Sequence, residues 1–412
     1  MPVSSSSMIS VADALAQMRE SISPVTQFEP VPLAALVDRV SAEPIQASTD
    51  IPAYTNSAMD GYAYLSSGLP KQDGPVTLKI VGVSQAGHPF QGNLTAGQCI
   101  RILTGAKVPS CVDTVIAQEQ VKLNDANQIT LLEPLPAGSN IRRQGEELTA
   151  GQTVYQPGRR FNPVDIGLLA SFGYASVKVK RKLKVALFST GDELVTPGEA
   201  LQEGQLYDSN RYALHALLER AGYDVINLGL IPDHYDTIAD RFEKASRTAD
   251  AIVCSGGVSV GDFDFTKQVL DSYGSVGFWK VAMKPGKPFA FGKVNNAYFF
   301  GLPGNPVSAL VTFDQLAAPA LATLQGEHWQ SRQRLCLRAG EVLKKRPGRA
   351  DFQRGWLREQ DGETKVFSTG PQGSAMLTSL AEADVFIRLC AEQGHVNADE
   401  WVEVEIISAP LR

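Results

Sequence analysis

The chain has little cysteine, and none of it is arranged for chemistry. Cys99, Cys111, Cys254, Cys336 and Cys390 are scattered, odd in number and never paired as C-x-x-C. That pattern argues against a zinc site or a disulfide framework and predicts buried, reduced thiols in a cytoplasmic protein. A surplus of positive charge is also missing. The formal net charge is -6, whereas general nucleic-acid binding wants a basic face. No apolar run approaches the ~20 residues of a membrane span. The first residues, Met1 to Ala14, show no basic segment followed by an apolar one, so no signal peptide is read there. No histidine or cysteine is placed to act as a nucleophile, so covalent catalysis is not expected. What remains is ordinary: 43% hydrophobic and 20% charged residues in 412 suit a soluble globular chain of two to four domains.

The informative stretch is Ala251 to Ser308. Ala251–Cys254 is a short apolar run that stops at Ser255-Gly256-Gly257. Adjacent glycines allow positive φ and bring bare N–H groups close to a ligand. Phe299–Leu302 ends in the same way at Pro303-Gly304-Asn305-Pro306, with Asn305 as N-cap and Pro306 at the first helical position. In a parallel α/β sheet, ligands gather at such strand ends. Between Asp271 and Asp314 there is no acid, while Lys280, Lys284, Lys287 and Lys293 are present. This is a local cationic patch in an acidic chain, suited to an anion.

Taken in order, the chain alternates between two textures. Val11, Ala14, Leu15, Met18 and Ile22 recur at helical spacing behind Ser10 as N-cap, and a second helix is predicted over Pro32–Val40. From Val76 to Leu132 the pattern is short strands broken by Gly, Pro, Asn and Asp, as in a small inserted β unit. Asn162-Pro163 starts a helix that Gly173 stops. Beyond the basic run at 177–184, Val185–Phe188 is a buried strand. Asn210 caps a helix ended by Gly222, DVINLGL is the next strand, and Tyr235–Arg247 is a helix. This βαβα order predicts a parallel three-layer domain. It sets Glu193, Asp233 and Asp264 just past three strand ends, where converging carboxylates call for a cation such as Mg²⁺. A long helix runs from Pro306 to about Leu324, and residues 334–408 read as the strands of a small barrel. The expected fold class is therefore multidomain α/β and β. Its parts are an N-terminal mixed helical domain (8–50 with 142–176), an inserted β domain (51–141), the α/β domain (177–327) and a C-terminal β-barrel (328–412).

SGGVSVGDFDFTK, KPGKPFAFG and GLPGNPVSA, in this order, resemble the molybdopterin molybdenumtransferase family, to which the C-terminal domain of gephyrin also belongs. NSAMDGYA, CIRILTGA, RRQGEE, GRADFQRG and GPQGS extend the resemblance over nearly the whole chain. It implies a Mg²⁺-dependent enzyme that takes adenylylated molybdopterin and molybdate, releases AMP and forms the molybdenum cofactor. Asp60, Thr104, Glu193, Asp233, Asp264, Lys280 and Lys284 fall at the family's functional positions, with Asp233 and Asp264 as metal ligands. Glu147 stands where the family motif ends in aspartate, one methylene longer. Gly256, Gly257, Pro303 and Pro306 would shape the substrate site, and Lys284, Lys287, Ser308, Arg354 and Ser374 would hold molybdate. The resemblance further implies a homodimer in which Asp60 and Thr104 act in trans, and supply of substrate by an adenylyltransferase. Two rivals are set against it: molybdopterin adenylyltransferase itself, and a non-catalytic gephyrin-like scaffold.

Overall fold

The computed structural model describes residues 8–70, 74–124, 127–257, 268–269, 272, 274–328 and 332–407. The chain divides into two compact units. One takes the residues up to Glu43, Pro157–Asn162 and Val177 onward; the other takes Pro44–Gln156 and Pro163–Ser176.

The first unit opens with helix α1 (Val11–Ser21). Ser10 caps it, its Oγ accepting from the Asp13 N–H at 3.1 Å. The predicted helix over Pro32–Val40 shrinks to one 3₁₀ turn, Leu33–Ala35. Asp38 adopts φ 62° and gives its N–H to Phe161 at 2.9 Å, so a tertiary partner ends the turn before a helix can propagate.

Strand and helix then alternate: β1 (Lys184–Thr190), α2 (Ser209–Arg220), β2 (Asp224–Ile231), α3 (Tyr235–Thr248), β3 (Ala251–Ser255), β4 (Gly274–Lys280), β5 (Pro288–Val294) and β6 (Ala297–Leu302). They form one sheet in the order β2-β1-β3-β6-β5-β4. The first four are parallel, and β5 and β4 add an antiparallel edge. The expected three-layer domain is present, because β1 and β3 are apolar on both faces. Val185, Leu187, Val253 and Phe300 pack with Leu214 and Leu218 of α2 and with Ala14 and Met18 of α1. Ala186, Phe188, Ile252 and Phe299 pack with Ile238 and Phe242 of α3. Each such aromatic contributes on the order of 1.5–3 kcal/mol by leaving water.

Asp208, not Asn210, caps α2: its carboxylate accepts from the Arg211 N–H at 3.1 Å. The same carboxylate pairs with the Arg211 side chain at 2.8 Å, which an asparagine could not match in charge. Gly222, at φ 83°, ends that helix as expected.

Helix α4 starts at Pro306 behind Asn305, passes through a π turn at Phe313–Ala317 and finishes at Gln325 before Gly326. At 20 residues it is long and apolar enough to cross a membrane by composition, but 78% of its most apolar window is buried. Its hydropathy is that of a core helix. The strands Arg334–Ala339, Ala350–Gln360, Glu363–Ser368, Val385–Leu389 and Trp401–Ile406 close the expected five-stranded barrel, which leaves no open sheet edge among them.

In the second unit, a six-stranded sheet runs in the order Thr114–Ala117, Gly61–Tyr64, Gln98–Ile102, Val76–Ser84, Gln128–Leu131, Val121–Asn124. Helix Pro163–Ser171 accompanies it. The cysteines divide: Cys99 and Cys254 are buried, whereas Cys336 and Cys390 are exposed, contrary to the expectation of burial throughout. Cys336 is on an outward-facing stretch of a barrel strand, and Cys390 follows another.

Candidate functional site

A cavity of about 1220 Å³ opens in the first unit where the parallel strands end. β1 delivers Thr190, Gly191 and Glu193; the turn after β2 delivers Asp233; β3 leads into Gly256 and Gly257; β6 leads into Pro303–Pro306, with Ser308 behind. Side chains that follow strand ends are held by the ladder beneath them and point into the crevice above it.

Two glycines are required by close approach. Gly256 sits at φ 92°, and a Cβ there would lie 2.4 Å from the Thr190 carbonyl oxygen. Gly286 sits at φ 101°, where a Cβ would meet Thr312 Oγ1 at 2.1 Å. The second of these sets the lysine wall. Lys284, Pro285, Gly286 and Lys287 line the cavity together. Met283 and Lys284 pair in parallel with Ala350 and Asp351 at the start of a barrel strand, and Lys284 Nζ stands 3.6 Å from the buried Asp351 carboxylate. The lysine turn is thus stitched to the barrel.

The barrel closes the cavity with Arg349 and with Gln372, Gly373, Ser374 and Ala375. The Ser374 carbonyl accepts from the Val307 N–H at 3.0 Å, which ties this loop to the start of α4. Arg354 is 1% exposed and is not part of the lining. It lies behind the loop, donating to the Gly373 carbonyl and to Ser379 Oγ, both at 3.1 Å. Burial pushes its pKa down to about 10, against the attraction of Asp351.

Acids and lysines line the same cavity. Burial raises the pKa of Asp233, and the charges of Asp192 and Glu193 raise it further. Its own N–H donates to Asp192 Oδ1 at 3.2 Å. Among the described residues no three metal-ligating side chains stand together. Asp264 lies outside the described residues.

The predicted residues therefore sort as follows. Glu193, Asp233, Gly256, Gly257, Lys284, Lys287, Pro303, Pro306, Ser308 and Ser374 line one cavity. Lys280 is exposed on β4 and does not line it; its carbonyl accepts from the Ile9 N–H at 2.9 Å. Asp60, Thr104 and Glu147 belong to the second unit. There the Asp60 carboxylate accepts from both the N–H and the hydroxyl of Thr104, each at 2.7 Å. Those two bonds, the backbone one foremost, hold its pKa below 3.8. Gly61 permits this turn, since a Cβ would lie 1.9 Å from the Ile116 carbonyl oxygen. Glu147 is exposed, with its N–H on the Ile51 carbonyl at 3.0 Å.

Sequence reasoning missed several lining residues: Thr190, Asn210, Arg349, Gln372 and the pair Leu206-Tyr207. The polar run Ser189–Glu193 directly after an apolar strand was a usable signal for the first. Asn210 was hidden by its resemblance to a cap; it donates instead to Ser255 Oγ at 2.8 Å and to the Gly304 carbonyl at 2.7 Å, bracing two of the strand-end turns.

Residues 9–173 match the family described as "MoeA N-terminal region (domain I and II)", residues 186–323 "Probable molybdopterin binding domain", and residues 337–407 "MoeA C-terminal region (domain IV)". The curated molybdopterin molybdenumtransferase of Haemophilus influenzae is 46% identical over 401 residues, covering 97% of this chain and 98% of that one. The protein of the same name from Synechococcus elongatus is 35% identical over 388 residues, 92% of this chain and 94% of its own. Among solved structures, the molybdopterin biosynthesis moeA protein of Pyrococcus horikoshii OT3 superposes with a TM-score of 0.84 at 27% identity, covering 97% of this chain and 100% of that one.

Proposed function

We infer the reaction from two premises: the chain belongs to the molybdopterin molybdenumtransferase family, transferases of molybdenum cofactor biosynthesis, and one cavity is lined by both lysines and acids. The proposed reaction joins molybdate to adenylylated molybdopterin. Water cleaves the phosphoanhydride and AMP leaves; the dithiolene thiols replace oxygens of molybdate, which depart as water. Two anionic reactants must meet, so the site needs cations and N–H donors more than it needs a nucleophile. The observation that carries this reading is the shared lining of Lys284, Lys287, Ser308 and Ser374 with Glu193 and Asp233. Lys287, Ser308 and Ser374 would hold the oxyanion. Lys284 would steady it from the barrel side, and Arg354 would act through Gly373 by keeping the Ser374 loop in place.

The raised pKa of Asp233, caused by burial and then by its acidic neighbours, fits a site that gains from a divalent cation. Asp233 and Asp264 would hold Mg²⁺, which takes one or two carboxylates and keeps its other positions for water and substrate oxygens, and Glu193 would orient those waters or the substrate. When bound, Mg²⁺ supplies charge neutralisation for the departing phosphate. On the same resemblance, Asp60, its charge kept by Thr104, would act in trans within a homodimer, and Glu147 stands at a further functional position of the family.

The family resemblance also supports a homodimer, substrate supply by an adenylyltransferase and a cytoplasmic location. It supports the four-part division at 8–50 with 142–176, 51–141, 177–327 and 328–412, which limited proteolysis tests directly. The reaction itself is tested by incubating the protein with adenylylated molybdopterin and molybdate, with and without Mg²⁺. Release of AMP together with molybdenum retained on the pterin is the expected result. AMP-linked pterin made from ATP and molybdopterin would instead identify an adenylyltransferase.

A further inference from the structure

The cavity is not uniform in character. Its lining mixes polar, glycine and proline positions, and beyond the end of β1 it carries Leu194, Leu206 and Tyr207. Leu206 is 61% exposed and Tyr207 45% exposed, although both lie on a short parallel ladder in which Leu194 pairs with Leu206 and Val195 with Tyr207. The ring of Tyr207 is held by its hydroxyl, which donates to the Glu199 carbonyl at 2.9 Å. Exposed apolar side chains that are braced in this way inside a cavity are placed to be covered by what fills it.

Strand order fixes where this end lies. Leu194 follows β1, while Lys287 leads into β5, three strand intervals away across β3 and β6. At about 4.8 Å per interval the two ends are roughly 14 Å apart. A cavity with exposed Leu206 and Tyr207 beyond β1 and lysines ahead of β5 accepts an elongated ligand, flat at one end and anionic at the other.

We propose that Leu206 and Tyr207 form a platform for the planar aminated heterocycle of the substrate, with the oxyanion at the Lys284–Lys287 wall. This rests on the reading of the cavity given above and adds the direction in which the substrate lies. The aminopyrimidinone of a pterin and the purine of AMP share the required chemistry: a polarisable face for stacking on the ring and amino groups at the edge. Asn210, three residues beyond Tyr207 and lining the same cavity, has both Nδ2 hydrogens committed to Ser255 and Gly304, so only its oxygen is left, and that atom has no partner among the described residues.

The test is a set of binding isotherms with molybdopterin, AMP and molybdate as separate probes. Tyr207→Ala and Leu206→Ala are expected to weaken molybdopterin or AMP by about tenfold, the scale of one stacked ring, and to leave molybdate within about twofold. Tyr207→Phe keeps the ring and should keep most of the affinity. Loss for molybdopterin alone assigns the platform to the pterin; loss for AMP alone assigns it to the nucleotide. The platform is refuted if both heterocyclic probes bind the alanine variants as well as the parent, or if molybdate is weakened equally. Lys287→Ala separates this from the underlying reading. If that variant weakens molybdate while Tyr207→Ala changes nothing, only the platform fails. If neither variant affects any probe, the cavity reading fails with it.

Discussion

The guanidinium of Arg354 donates to the carbonyl of Gly373 at 3.1 Å, from behind the loop whose next residue, Ser374, faces the cavity. Arg354 also donates its backbone N–H to Gln372 Oε1 at 2.8 Å, and its carbonyl accepts from Gln372 Nε2 at 3.1 Å. A barrel strand and a cavity loop are thereby locked residue to residue. Arg354 has its effect on the site through the shape of that loop.

Arg354→Met keeps much of the volume and removes the donors. It should cost about 2–3 kcal/mol, the scale of hydrogen bonds to a charged group. Molybdate affinity should fall with it, because the Ser374 loop is freed. Urea unfolding and molybdate binding measured on one preparation check both. Full stability and full affinity together would contradict the positioning role.

Gly256→Ala introduces a Cβ 2.4 Å from the Thr190 carbonyl oxygen at a φ of 92°. Neither atom is the end of a flexible side chain, so the turn must move. Backbone strain of this kind costs on the order of 1–3 kcal/mol. The expected outcome is a lowered Tm and loss of turnover, read by calorimetry and by AMP release.

Thr104→Val removes one of two donors to Asp60. The backbone N–H, the larger cause of the lowered pKa, remains. The Asp60 pKa should therefore rise toward 3.8 and stop short of it. A carbon-13 NMR titration of the Asp60 carboxyl reads this directly; an unmoved value would show that the hydroxyl does not donate.

Asp250 accepts two bonds from the Arg181 guanidinium, at 2.6 and 2.7 Å, and one from the Lys184 N–H at 2.9 Å. Burial would raise its pKa, but Arg181 and the Lys184 N–H outweigh it and hold the group below 3.8. A depressed folded value means stability that is complete above 3.8 and lost as the pH falls through the folded value. Asp250→Asn should cost roughly 1–3 kcal/mol at neutral pH. It should also make unfolding free energy less steep in pH below about 4. Denaturant midpoints from pH 3 to 7 check the sign.

Much of the architecture was readable because it depends on short-range patterning. Val185–Phe188 and Ala251–Cys254 are apolar at every position, which only a strand buried on both faces tolerates, and the helices between them then dictate a parallel sheet. The five short strands after residue 334 carried the barrel in the same way. Local cues failed where a distant partner decided. Asp38 turns left-handed toward Phe161 and cuts a predicted helix to one turn. Asn210 looks like a cap and is a brace for Ser255 and Gly304.

By itself, then, the order of residues determined the elements, the glycine and proline turns at strand ends and the motifs that mark the family, since each depends on neighbours a few positions away. Only the tertiary structure decided that Arg354 stands behind the cavity while Arg349 lines it, that Lys280 stays outside while Lys284 and Lys287 enter, and that Leu206 and Tyr207 line the same cavity. The reason is physical. Whether a side chain faces a cavity depends on how sheet, helix and barrel pack, through contacts between residues tens to hundreds of positions apart, and no local spacing encodes those.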